Sequence, residues 1–151
     1  MKSKKLKRFT LMLLLLPLGV LFLGAGCEKE DVSQSVLNGK WILIGFGDDS
    51  TNEFTSEPNS EPKSSYVIFD NGRMVAYSVS NMVEDAKYVV DEERKIIFST
   101  HGMKTLIGGD TEWGQQFLSL IIKIYEFEVK EDELKLYYES QKYMKLKKDT
   151  K

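Results

Sequence analysis

One cysteine, one histidine and three prolines occur in the 151 residues, and each scarcity removes a class of explanation. A lone cysteine cannot form an internal disulfide, so whatever folds must be held by packing. With His101 the only histidine, neither a zinc-type ligand set nor a histidine-based nucleophile constellation can be assembled. Few prolines leave long stretches free to pair as strands. Beyond the N-terminal run of Lys2, Lys4, Lys5, Lys7 and Arg8, basic residues are outnumbered by acidic ones. Removing residues 1–26 takes away those five basic residues and no acidic one, so the formal net charge moves from −2 to −7. Such a chain should repel nucleic acid, whose binding rests on basic clusters.

What is present begins with an address. The basic cluster precedes an almost unbroken apolar run, Leu11 to Leu23, then Gly24-Ala25-Gly26 and Cys27. The run is too short for the ~20 residues of a spanning helix and has the flanks of a cleavable export signal. Leu23 to Cys27, L-G-A-G-C, resembles the bacterial lipobox, although leucine sits four residues before the cysteine and Gly24 takes its usual place. The resemblance implies cleavage after residue 26 and membrane attachment through a lipid on Cys27. Residues 27–36 read as a lipidated cysteine and a polar tether, too charged to bury. Within it, Lys29-Glu30-Asp31 resembles the sorting signal of Bacteroidota lipoproteins carried to the cell surface; a charged spacer is the alternative reading. Together these features place the protein in the cell envelope, at the outer membrane.

From Leu37 to Lys151 the pattern repeats every two residues and a single domain is expected. Trp41 to Phe46 reads as a first strand and Gly47 to Ser65 as a long polar loop. Asn71-Gly72 marks a tight hairpin, because both central residues of a type I′ turn need positive φ; it pairs Asp70 with Arg73, Phe69 with Met74 and Ile68 with Val75. A second hairpin joins Ala86–Val90 to Ile96–Ser99. Phe127 and Val129, then Leu134, Leu136 and Tyr138, alternate with charged residues, and Met144 with Leu146 forms a closing strand. One segment departs from the two-residue period: Trp113, Phe117, Leu120, Ile121 and Ile124 recur at helical spacing, with Asp110 or Thr111 as cap. The expected fold is mainly β, an antiparallel open, cracked β-barrel wrapped on one amphipathic helix, whose stripe of Trp113, Phe117, Leu120 and Ile121 plugs the barrel.

The order of L-N-G-K-W (Leu37 to Trp41), I-F-D-N-G-R-M (Ile68 to Met74) ahead of Asn81, M-K-T-L-I-G (Met103 to Gly108), F-L-S-L (Phe117 to Leu120), Y-E-F-E-V…L-K-L-Y-Y and Y-M-K-L resembles the META domain, including HslJ-like envelope proteins. Ser80 and Gly108 stand where many members have cysteines. The resemblance implies a cracked barrel crossed by a helix. Gly39-Lys40-Trp41 is also similar to the G-x-W of lipocalin-like lipoproteins, but their helix follows the last barrel strand, whereas this one precedes at least two more.

Candidate chemistry is sparse. Asp91-Glu92-Glu93 and Glu131-Asp132-Glu133 sit at hairpin tips, where solvent keeps acids ordinary. Asp48, Asp49, Asn52 and Glu53 lack the alternation of a calcium loop. Gly108-Gly109 before a helix suggests an anion site whose amides Asp110 would itself occupy. Tyr137 and Tyr143, with Lys135 and Lys145, are placed on the outward face. No catalytic residue, cofactor or metal ligand is assigned. The sequence points to a non-catalytic module for an envelope protein or peptide partner, with a lipocalin-like carrier of a small apolar ligand as the alternative and a hydrolase third.

Overall fold

Two-residue alternation becomes a ten-stranded antiparallel sheet in the computed structural model, which describes residues 32–58, 65–99, 104–106 and 109–151. A helical turn α1 (Val32–Ser35) precedes β1 (Gly39–Asp48), β2 (Glu53–Ser56), β3 (Tyr66–Asp70), β4 (Arg73–Tyr77), β5 (Met82–Val90), β6 (Ile96–Ser99) and β7 (Lys104–Leu106). Helix α2 (Glu112–Ile121) is followed by β8 (Glu126–Lys130), β9 (Glu133–Tyr137) and β10 (Lys142–Lys148). Strands run in the order β6-β5-β4-β3-β1-β10-β9-β8, with β2 beside β1 and β7 beside β5. The outer strands of this run meet at an isolated bridge between Lys95 and Glu126. There Ile96 N–H donates to the Tyr125 carbonyl at 2.8 Å and Phe127 N–H to that of Arg94 at 3.2 Å. The result is a nearly closed barrel with one unsealed seam, between β6 and β8.

Local rules explain much of the register. Asn71 (φ 45°) and Gly72 (φ 83°) supply the two positive φ values of the turn, and Asp70–Arg73, Phe69–Met74 and Ile68–Val75 pair across it. Alternate residues fill the interior: Trp41, Leu43, Val67, Phe69, Met74, Ala76, Leu134, Leu136, Met144 and Leu146 are all buried. Trp41 is pinned by its indole N–H, which donates to the Leu37 carbonyl at 2.7 Å.

Helix α2 begins at Thr111, whose side chain accepts from Gly114 N–H at 3.0 Å. Phe117 and Ile121 are fully buried, and Trp113 meets Phe46 edge-on with ring centroids 4.7 Å apart. Leu120 departs from the expected plug: it lies at the margin of the stripe and is only partly buried. Gly114 is buried instead, because a Cβ there would fall 2.7 Å from Asp110 Oδ1 and 3.0 Å from Ser78 Cβ.

One expectation about a connecting segment needs correction. Residues 47–65 are not all loop, since β2 forms within them and pairs with β1 from Gly45–Ser56 to Asp48–Glu53. All four β2 residues are exposed, so no buried face imposed an alternation that could be read. The helical turn α1 forms just ahead of β1, at the end of the polar stretch 27–36. Cys27, Lys29, Glu30, Asp31, His101 and Gly108 lie outside the described residues.

Candidate functional site

The end of β1 and the facing strands β9 and β10 gather a convergent cluster of charged and aromatic side chains beside a groove. Pairing sets it up: Gly47 faces Tyr143 across β1 and β10, and Tyr143 faces Tyr137 across β10 and β9. Because Gly47 has no side chain, the Tyr143 ring lies over its Cα, and a Cβ there would collide with that ring. Tyr143 is therefore buried, 8% exposed, although it is on the outward face as its strand position requires. The expectation of two solvent-facing tyrosines is corrected on this point: the partner strand, not the alternation, decides how much of an outward ring is covered.

Over this ring sits Lys135, its ammonium 4.1 Å from the Tyr143 centroid. The same ammonium donates to both Asp49 carboxylate oxygens, at 2.8 and 3.1 Å. The Tyr137 hydroxyl donates to Asp49 Oδ2 at 2.9 Å. Asp49 is positioned by its backbone, whose N–H donates to the Gln141 carbonyl at 2.9 Å. The Lys135 hydrogen bond, followed by that of Tyr137, holds the Asp49 carboxyl below the usual range. Burial pulls the Lys135 ammonium down, but the hydrogen bond and charge of Asp49 more than offset it and leave Lys135 above its ordinary value. Burial, then the same carboxylate, raises the Tyr137 hydroxyl. At neutral pH the cluster thus holds a carboxylate, an ammonium and a neutral phenol. None of them is a free base, and the arrangement serves to fix a surface. An exposed ion pair of this kind contributes about 0–1 kcal/mol, so its value lies in geometry more than stability.

Beside the cluster a groove of about 450 Å³ runs along the outside of β8 and β9 to the seam, lined among others by Asp49, Tyr137, Glu128, Tyr125, Arg94 and Gln141. Tyr125 is oriented by its hydroxyl, which donates to the Glu139 carbonyl at 3.2 Å. On β8, Phe127 N–H faces the seam and reaches Arg94. By the alternation of an antiparallel ladder, Val129 turns its own N–H and C=O to the same side, where β8 has no strand partner among the described residues.

Other candidates resolve into structural duties. Asp48 accepts from Ser50, through the backbone N–H at 2.8 Å and through the hydroxyl, and Glu53 accepts from the Thr51 hydroxyl at 3.2 Å, so the three acids weighed for calcium, Asp49 included, are spent on separate partners. Among the described residues no three metal-ligating side chains converge. Asp91 closes its turn by accepting from Glu93 and Lys95 N–H, each at 2.9 Å. Asp132 and Glu133 pair with Lys147 at 3.3 Å and Lys145 at 2.8 Å. Asp110 binds the Ser78 hydroxyl, the Asn81 amide at 2.9 Å and Thr111 N–H at 2.8 Å. It ties the helix start to the turn between β4 and β5 and leaves the N-cap to Thr111. Sequence reasoning paired Tyr137, Tyr143 and Lys135 but missed Asp49 as their partner and Gly47 as the reason they pack; these come from the turn after β1 and from the end of β1, more than 80 positions away.

The fold and groove define an open antiparallel barrel with one amphipathic helix and an external, seam-bordering cleft. Neither a family model nor a curated protein matches the chain. Among solved structures it is similar to a DUF4847 family protein from Bacteroides vulgatus, with 14% identity and a TM-score of 0.56 over 80% of this chain and 99% of that one. It is also similar to a protein from Burkholderia xenovorans, with 14% identity and a TM-score of 0.59 over 80% of this chain and 88% of that one. At such identity the likeness establishes the fold alone.

Proposed function

We propose that this protein is a lipid-anchored, non-catalytic module of the cell envelope that binds an extended segment of a partner protein or peptide at the barrel seam. The observation carrying this reading is the outer edge of β8, where the Val129 backbone groups face the seam beside a groove rimmed by Tyr125, Tyr137 and Glu128. An incoming strand would complete the ladder, and the groove would take its alternate side chains. The short edge and its flanking charges, Glu128 and Lys130, are the features by which such an edge avoids indiscriminate pairing. Anchoring follows from the lipobox-like run ending at Cys27, with Lys29-Glu30-Asp31 directing the anchored domain outward from the outer membrane. The META-like order of motifs supports the cracked barrel on which this reading depends. The lipocalin-like alternative requires a hollow interior, and the burial of Phe117 and Ile121 against the barrel core weighs against it.

Substitution of Val129 by proline tests the edge, because it removes a donor that the β8–β9 ladder does not use. Cross-linked envelopes from cells expressing wild type and Val129→Pro are to be compared by pull-down, with circular dichroism confirming that the variant is folded. The proposal expects a partner recovered with wild type and lost from the folded variant. Equal recovery with both proteins would remove the edge from the mechanism.

A further inference from the structure

The chain contains two Asn-Gly dipeptides, Asn38-Gly39 and Asn71-Gly72, and the fold brings them together from 33 positions apart. Asn71 N–H donates to Asn38 Oδ1 at 3.1 Å, and Asn38 Nδ2 donates to Asn71 Oδ1 at 3.0 Å. The backbone donor fixes which way the Asn38 amide points, so the pairing is reciprocal and not a matter of amide orientation. Asn71 Nδ2 donates in turn to Asp70 Oδ1 at 3.1 Å. Neither glycine is replaceable: Gly39 has φ +122° and Gly72 φ +83°, and a Cβ on Gly72 would fall 2.6 Å from Gln34 Nε2.

Glycine after asparagine leaves the following backbone nitrogen unshielded, which makes this dipeptide the most readily cyclised of all. The Gly nitrogen attacks the asparagine Cγ, the new C–N bond closes a succinimide, and the side-chain nitrogen leaves as ammonia. Water then opens the ring at either carbonyl, giving aspartate or isoaspartate. For that attack the asparagine side chain must rotate back over its own following N–H, and here that rotation has to break the hydrogen bonds joining the two residues.

We propose that Asn38 and Asn71 form a mutually protecting pair of modification sites, silent while the α1–β1 junction is docked on the β3–β4 turn and converted in sequence once it opens. The first conversion cannot be reversed by refolding. An acid at position 38 sets an oxygen against Asn71 Oδ1 where a donor stood, and an acid at position 71 stands beside the Asp70 carboxylate. Either product weakens the lock and exposes the remaining asparagine, so the second site follows faster than the first. The pair thereby keeps a permanent chemical record that the junction has opened.

Peptide mapping by mass spectrometry reads both sites in the whole protein, incubated native or unfolded in urea. Both asparagines should convert more slowly in the native protein. Asn38→Ala should speed conversion of Asn71 in the folded state about thirtyfold, the factor given by losing two hydrogen bonds of ordinary net strength. Asn71→Gly, which the turn accepts, keeps the backbone N–H bond to Asn38 Oδ1 and loses only the side-chain bond, so it should speed conversion of Asn38 by the smaller factor of one such bond, about fivefold. Native wild type converting at the urea rate would overturn the proposal. So would a folded Asn38→Ala or Asn71→Gly protein whose remaining asparagine is as slow as in wild type; if Asn38→Ala does not fold, the Asn71→Gly and urea comparisons still decide.

Discussion

Phe117→Ala is expected to lower the unfolding free energy by about 3–5 kcal/mol, the usual cost of removing a buried aromatic side chain and leaving a cavity. Phe117 is fully buried, one turn from Trp113 on one side and from Ile121 on the other, and all three face the barrel core. Phe117 belongs to the buried core cluster, so the hole cannot collapse without moving close-packed neighbours. Domains of this size hold about 5–15 kcal/mol in total, and the variant should therefore melt far earlier or populate the unfolded state at room temperature. On the same helix Gln116 is exposed, and its replacement by Ala should fall within about 0.5 kcal/mol of wild type. Urea unfolding of the two variants checks the pair. A Phe117→Ala protein as stable as Gln116→Ala would mean that the helix does not fill the barrel.

Gly47→Ala carries the second-largest expected effect, about 1–3 kcal/mol of destabilisation from overpacking. Its methyl would enter the space of the Tyr143 ring, which cannot shift freely because Lys135 stacks on it at 4.1 Å and Tyr137 flanks it at 5.8 Å. Moving the ring takes Lys135 from Asp49 and loosens the turn after β1. The cause is separable from alanine's general effect on a strand by a double-mutant cycle. Tyr143→Ala alone removes a buried ring, but in the Tyr143→Ala background Gly47→Ala should cost little, since the clash is gone. Additive losses in the double variant would show that the close approach is not what makes glycine necessary.

The fold was legible wherever a short-range rule governs it. Asn71-Gly72 dictated its own turn and, through it, the register of β3 and β4. Apolar alternation placed Leu134, Leu136, Met144 and Leu146 inside, and helical spacing picked out Trp113, Phe117 and Ile121. Leu120 shows the limit of spacing, because a residue at the edge of a stripe is buried or not according to the neighbour it meets. Strand β2 was hidden because exposure of all four residues left no pattern. The candidate site was half legible: Lys135, Tyr137 and Tyr143 could be assigned to one face. Asp49 and Gly47 could not be added, because only the pairing of β1 with β10 brings them there. Nor does any residue pattern say which two strands stay unsealed; that depends on how far the whole barrel curls before its ends meet.

If α2 fills the barrel, recognition must occur outside it, and amide-resolved NMR of the chain Glu28–Lys151 titrated with a long-chain fatty acid tests this most directly. The Trp113 indole N–H is a built-in reporter, since it is buried without a hydrogen-bond partner among the described residues. The expected result is no saturable change at Trp113, Phe117 or Trp41. Saturable shifts at those residues, with α2 displaced from the core, would contradict the account and make the barrel a carrier.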